Sequence, residues 1–205
     1  MRPAPHLSAL LRRPLTAAAL LLAAPGVQAG VVFTSIYSFT GGNDGLAPEA
    51  GLVQGSDGYF YGTTAAGGGS GTTYYGDGTV FKSSTNGALI TLHAFTGGSD
   101  GSDPEAGLVQ GSDGEFYGTT YLGGDSSAGS VFWMSAQGAL TNLCSFSSGG
   151  PEAPVIQASD GCLYGTTFAG GGPNEGTLFK LSTNGVLATL HSFTNGSDGA
   201  YPRTA

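Results

Sequence analysis

One phrase, said three times, constrains this chain more than anything else in it. GSDGYFYGTT at residues 55–64 returns as GSDGEFYGTT at 111–120 and, altered, as ASDGCLYGTT at 158–167. Other words keep the same register. Tyr61, Tyr117 and Tyr164 open the Y-G-T-T words, spaced 56 and 47 apart, and Phe81, Phe132 and Phe179 close V-F, V-F and L-F, spaced 51 and 47. Phe39, Phe95, Phe146 and Phe193 end Y-S-F, H-A-F, C-S-F and H-S-F, spaced 56, 51 and 47. A period near 50 belongs to propeller blades and similar arrays, so each copy is read as one supersecondary unit that must bury its faces against its neighbours.

Within one period the pattern predicts four strands. Residues 50–55 are a short apolar run, S-D-G is a turn, and 59–64 are aromatic and β-branched. A Gly-rich loop then leads to 79–84, the N-G turn, and 88–95. Asp-Gly and Asn-Gly between such runs signal hairpins, read here as primed turns. Both sides of the strands are apolar, as Leu52-Val53 and Leu89-Ile90-Thr91-Leu92 show. That suits sheets packed on two faces better than a solenoid, whose β-helix repeats are much shorter. The expected class is all-β, with propeller-type four-stranded blades at about residues 46–95, 102–146 and 151–193. Residues 31–39 match a lone fourth strand, and 195–205 match the start of a further blade. Three blades do not close, since propellers have about 4–8. The expectation is an incomplete propeller from a truncated reading frame, with an open array or a ring of several chains as the alternatives. Gly62, Gly118 and Gly165 are expected where an adjacent blade's side chains press closest.

Composition separates this turn-rich chain from a disordered one. Thirty-eight glycines accompany eleven Phe and nine Tyr at regular positions, whereas disordered chains lack such residues. The first 29 residues read as a signal peptide: Arg2, Arg12 and Arg13 precede a short apolar run and an A-x-A-like site ending at Ala29. That run is too short to span a bilayer, and no later stretch is long and apolar enough to be a transmembrane segment. Beyond residue 29 three basic residues face fourteen acids, a net charge of −11. So acidic a chain has no footprint for phosphate backbones, which excludes nucleic-acid binding.

The string A-G-L-V-Q-G-S-D-G-x-F-Y-G-T-T, followed by a Gly-rich gap, G-T-V-F-K, N-G and L-x-x-L-H-x-F, resembles the GloVer tandem repeat of exported bacterial proteins. The resemblance runs from about residue 31 to residue 205. It implies propeller-type repeats and export to the bacterial cell surface, periplasm or exterior. It implies no established activity and offers no catalytic residues to carry over.

Candidate chemistry is sparse. His93, Cys144 and His191 occupy one repeat position on different blades, so they are not expected to converge on a metal. Cys144 and Cys162 are an even pair in an exported chain, which permits a disulfide. Asp44, Asp100 and Asp198, and Asp57, Asp113 and Asp160 of the S-D-G turns, lie in Asp-Gly loops without the spacing of a calcium loop, so turn formation is the first reading and a weak calcium role the second. No cofactor is expected otherwise. An enzyme would have to break the repeat, and its unrepeated acids (Asp77, Asp103, Glu115, Asp125 and Glu175) share no motif. The second-to-third-strand loop does vary: Thr64 to Thr79 is a step of 15, against 10 in the other two copies. Variation confined to one end of the blades points to ligand binding by Tyr74, Tyr75, Asp77, Tyr121, Asp125, Phe168 and Glu175. The expected function is an exported, non-catalytic binding or scaffold module for an extracellular ligand, carbohydrate or protein. The alternatives are an extracellular carbohydrate-active enzyme and a calcium-stabilised structural repeat.

Overall fold

The computed structural model describes residues 33–69 and 75–203, and Ser35–Ala205 form one compact unit. The leader pattern at 1–29, residues 31–32 of the lone strand and Tyr74 lie outside the described residues. Among the described residues there is no helix, and none therefore long and apolar enough to cross a membrane. The first blade runs β1 (Val53–Gln54), β2 (Phe60–Thr64), β3 (Thr79–Ser83) and β4 (Leu89–Ala94). The second runs β5 (Val109–Gln110), β6 (Phe116–Thr120), β7 (Ser130–Met134) and β8 (Leu140–Ser145). The third runs β9 (Ile156–Gln157), β10 (Leu163–Thr167), β11 (Thr177–Leu181) and β12 (Leu187–Ser192). Each is an antiparallel meander in sequence order, so these are the expected propeller-type blades. Even the bulge recurs, at Val80/Phe81, Val131/Phe132 and Leu178/Phe179.

The hairpin turns differ from the primed type expected. In Gly55-Ser56-Asp57-Gly58 only Gly58 takes a positive φ, 86°, and its N–H donates to the Gly55 carbonyl at 2.9 Å. That is a type I turn closed by a left-handed glycine, whereas a primed turn needs positive φ at the first central residue and, in type I′, at both. The acid keeps its ordinary backbone and is free for a side-chain task. Asp57 accepts from the Tyr59 N–H at 3.2 Å and from the Tyr61 hydroxyl at 2.7 Å. Asp113 holds Tyr117 in the same way at 2.7 Å, and Asp160 holds Tyr164 at 2.9 Å. Burial, then the bond to Asp57, pushes the Tyr61 phenol well above its ordinary range, so it stays a donor.

The core lies between blades rather than inside any sheet. Tyr61, Val80 and Phe95 of the first blade pack with Leu108, Phe116, Phe132 and Met134 of the second. Tyr117, Val131 and Phe146 of the second pack with Val155, Leu163, Phe179 and Leu181 of the third. At the first interface Tyr61 stacks on Phe116 with centroids 3.9 Å apart. Polar groups repeat across the joints too. The Gln110 carboxamide accepts from Ser56 N–H at 3.0 Å, and that of Gln157 accepts from Ser112 N–H at 2.8 Å, each capping the preceding blade's turn.

The Y-G-T-T glycine has a packing role, but its neighbour is not the one expected. A Cβ on Gly118 would meet Leu108 Cδ2 at 2.7 Å and the Phe132 ring more closely still, and both belong to Gly118's own blade. Gly62 meets Phe81 and Leu52, and Gly165 meets Phe179 and Val155, in the same manner. Gly118 and Phe132 are register partners, so the ring folds across the hole left by the missing side chain. Folded there, it receives the preceding blade: Phe95 meets Phe132 at 5.4 Å, Phe146 meets Phe179 at 5.2 Å, and Phe39 meets Phe81 at 5.1 Å. The two threonines that follow split the remaining work. Thr63 and Thr119 donate to the next blade's Ala106 and Ala153 carbonyls at 3.0 and 3.1 Å. Thr64 and Thr120 bond Thr79 and Ser130 of their own third strand, both at 2.8 Å.

Residues 33–39 form no strand, because no neighbouring strand of their own sheet is described for them to bond. Residues 35–39 nevertheless take the fourth strand's place against the first blade. A Cβ on Gly87 would strike the Ile36 carbonyl just as one on Gly138 would strike that of Leu92.

Candidate functional site

The variable loops and the fourth-to-first connections meet at one end of the blades. Leu46 bridges Ala66, and Ser102 bridges Leu122. The residues expected to bind there do not form a single surface. Tyr75 is exposed (68 %), as is Asp125, but Asp77 is buried (1 %) rather than displayed. Tyr121, Phe168 and Glu175 are half-buried. Asp77 and Glu175 hold the same repeat position, two residues before the third strand, and their backbone carbonyls accept from the Asp103 N–H at 3.1 Å and the Tyr201 N–H at 2.8 Å, so each is tied to the segment before the next blade's proline.

Other sequence candidates also resolve into local structure. Asp100 accepts from Thr96 Oγ1 at 2.6 Å, from Thr96 N–H at 3.0 Å and lies 3.1 Å from His93 Nε2. Asp198 repeats this with Thr194 and His191, and those bonds, Thr194's first, bring its carboxyl down to about 2. Asp44 uses Thr40 and Tyr37. In each case the aspartate closes its own turn, as the first reading held. The disulfide is corrected: both cysteines are free. Cys144 sits beside the variable-loop end of β8, paired with Val131, whereas Cys162 follows the S-D-G turn at the opposite end of its blade. Burial pushes the Cys144 thiol up.

What the fold does bring together is an acid that sequence reasoning passed over because it repeats. Pro-Glu-Ala precedes the first strand of every blade, at Glu49, Glu105 and Glu152. Thr63 and Thr119 pin this segment from the preceding blade, as above. A cleft of about 390 Å³ is consequently lined by first-strand segments of all three blades, with Glu49 and Glu105 on it. The residue before the proline is left-handed at Ala47 (57°), Asp103 (52°) and Tyr201 (51°). That backbone is costly for a non-glycine residue, and it re-aims the chain into the cleft.

The electrostatics are those of crowding. Burial, then Asp77 and Glu49, hold the Asp103 carboxyl above its ordinary range. Burial, then Glu152, Glu49 and Asp103, do the same to Glu105, with only Arg203 pulling the other way. Arg203 is the repeat's departure, standing where the other copies carry glutamate. Its guanidinium lies 3.0 Å from Glu152 and 4.4 Å above the Phe168 ring. Tyr201 packs on Phe168 at 5.1 Å, and its phenol is pushed up by a hydrogen bond to Glu175. Phe168 and Glu175 thus hold the Tyr201–Arg203 segment rather than line the cleft, while Tyr75 and Asp125 are exposed on the loops. Among the described residues no group of three or more His, Cys, Asp or Glu is placed to hold a metal ion. The signal that would have found the site was the repeated Pro-Glu-Ala itself. Equal positions of successive blades meet on their inner strands, so a functional acid there need not break the repeat.

A family model described as the Gloeobacter/Verrucomicrobia repeat matches residues 27–205. No curated protein matches. Among solved structures, a candidate gluconolactonase is 16 % identical, with a TM-score of 0.44 over 67 % of this chain and 45 % of that one. A candidate 6-phosphogluconolactonase from Bacteroides uniformis is 19 % identical, with a TM-score of 0.35 over 54 % of this chain and 31 % of that one. The chain thus spans less than half the length of either, and at such scores the likeness assigns no activity. With its repeat words matched across nearly the whole described region, the chain belongs to the Gloeobacter/Verrucomicrobia repeat family.

Proposed function

We propose that this chain is an exported, non-catalytic repeat module that binds a ligand at the cell surface or outside the cell, through the cleft between its first strands. The observation that carries the reading is the crowding itself: Asp77 and Glu49 bear on Asp103, and Glu152, Glu49 and Asp103 bear on Glu105 at the cleft, with Arg203 acting on Glu105 in the opposite sense. Like charges held together cost stability, and a cationic ligand offsets that cost on binding. Arg203, held between the Glu152 carboxylate and the Phe168 ring, supports a guanidinium as the group recognised here. The ligand class is therefore a basic protein segment. The N-terminal leader pattern supports export. Titrating an arginine- and lysine-rich peptide by calorimetry tests this. Binding should be salt-sensitive and weaken in Glu105→Gln; equal binding by parent and variant contradicts the assignment.

The two carboxyls held above their ordinary range, Asp103 and Glu105, also favour a second reading, acid catalysis on a carbohydrate. Chromogenic glycosides discriminate: turnover lost in Glu105→Gln establishes the enzyme and removes the non-catalytic reading.

A further inference from the structure

The interface between neighbouring blades has two unlike sides, and among the described residues the first and third blades each present one of them. The leading side carries leucine, phenylalanine, phenylalanine and methionine in the second blade, and there Leu108 is 7 % and Phe116 0 % exposed. On the first blade Leu52, at the same position as Leu108, is 53 % exposed. It edges an apolar groove of about 210 Å³ with Ile36, Phe39, Phe60, Phe81 and Leu89. Residues 35–39 fill only the fourth-strand part of that interface. The trailing side carries Val53, Tyr61 and Val80 in the first blade, the last two fully buried. Its counterparts on the third blade are Ile156, Tyr164 and Leu178. Ile156 is 63 % exposed and Leu190, on β12, 50 %.

Polar groups are complementary in the same sense. Gln110 and Gln157 cap the turn of the blade before them, while Gln54, at the same position, is exposed. Lys82 reaches forward to the next blade's Ala136 carbonyl at 3.1 Å. Lys180, its counterpart, folds back onto Asp160 at 2.9 Å.

We infer that these two faces are halves of one interface, and that copies of this chain associate head to tail, the third blade of one docking on the first blade of the next. The contact continues the interface that already joins the blades: Tyr164 stacks on the partner's Phe60 face, Gln54 caps the S-D-G turn that begins at Ser159, and Lys180 releases Asp160 for the carbonyl of Thr85. The arrangement is heterologous rather than two-fold, since the two faces differ. Two segments give way. Residues 35–39 yield to β12, which brings Leu190 and Phe193 to the places of Ile36 and Phe39. Residues 195–203 yield to residues 41–49 of the receiving copy, which hold the same repeat positions. The Arg203–Glu152 ion pair, with its exposed arginine (63 %), is given up and Glu49 of the receiving copy stands in its place, a repulsion that the apolar contacts of the joint must exceed.

Size-exclusion chromatography with light scattering on the purified chain decides the matter. The parent should show a mass that climbs above one chain with concentration. Leu52→Asp and Ile156→Asp, each at an exposed position, should be monomeric alone. Mixed in equal amounts they should form a two-chain species and nothing larger, because each retains the face the other has lost. A parent that keeps the mass of one chain at about 1 mM, the weak end of specific association, overturns the proposal. So does either variant associating with itself, or a mixture that stays monomeric. Thermal melts matching the parent's verify folding; if either variant is unfolded, Gln54→Glu and Leu190→Lys on the same two faces replace them.

Discussion

The joints between blades and the cleft between first strands are made by the same three copies, yet they respond to repetition in opposite ways. At the joints, like meets like to advantage. Phe95 on Phe132 and Phe146 on Phe179 are near-identical contacts, and each added blade buries another such set. In the cleft the repeated residue is a glutamate, and the copies on either side, Glu49 and Glu152, raise the cost of ionising Glu105. Neutral packing turns repetition into stability, whereas charge turns it into repulsion. Only Arg203 relieves the second, so the cleft is where this fold departs from what stability alone would select.

The largest loss should come from breaking a joint at its aromatic centre. Phe132→Ala removes a fully buried ring from between Gly118 and Phe95, at about 3–5 kcal/mol. In urea melts it should also weaken the blades on either side, since neighbours share interfaces. Gly118→Val, at about 1–3 kcal/mol, attacks the same place by overfilling it. Because the clash is with Phe132 of the same blade, pairing Gly118→Val with Phe132→Leu should recover part of the loss, which a purely inter-blade clash would not allow. Changing Ser126, exposed in the variable loop, should stay within about 0.5 kcal/mol.

These contrasts show how far the sequence alone could reach. Spacing of Tyr61, Tyr117 and Tyr164 was sufficient for the blades, because strand period and turn chemistry are local. It could not say that Phe132 rather than the next blade covers Gly118, since both lie at allowed distances in sequence and only the register decides. The Asp57–Tyr61 bond was hidden for a related reason: Asp-Gly marks a turn whatever else its carboxylate meets, and the Tyr61 hydroxyl comes within reach only once the hairpin closes. The variable loops drew notice because they differ between copies, but Asp77 turned inward. The glutamates drew none because they do not differ, and their meeting depends on how blades are placed against each other.

Smaller effects separate the two regions further. Thr119→Val removes the hydroxyl that pins Ala153 while keeping the β-branched shape, and should cost about 1 kcal/mol. Its strand should remain intact by amide exchange, while the third blade's Pro-Glu-Ala segment exchanges faster.

The most direct measurement of the cleft's crowding is the urea stability of Glu105→Gln against the parent across pH. The folded protein holds this carboxyl above its ordinary range, so its ionisation disfavours folding. The parent's relative stability is therefore greatest below the unfolded value of about 4.3 and falls as pH rises through the higher folded value. At neutral pH the glutamine variant should be the more stable, by roughly 0.5 kcal/mol at a half-exposed, screened site. That advantage should vanish in acid. A glutamine variant that is equally or less stable at neutral pH, or whose advantage does not change with pH, would contradict a cleft of crowded, uncompensated charge.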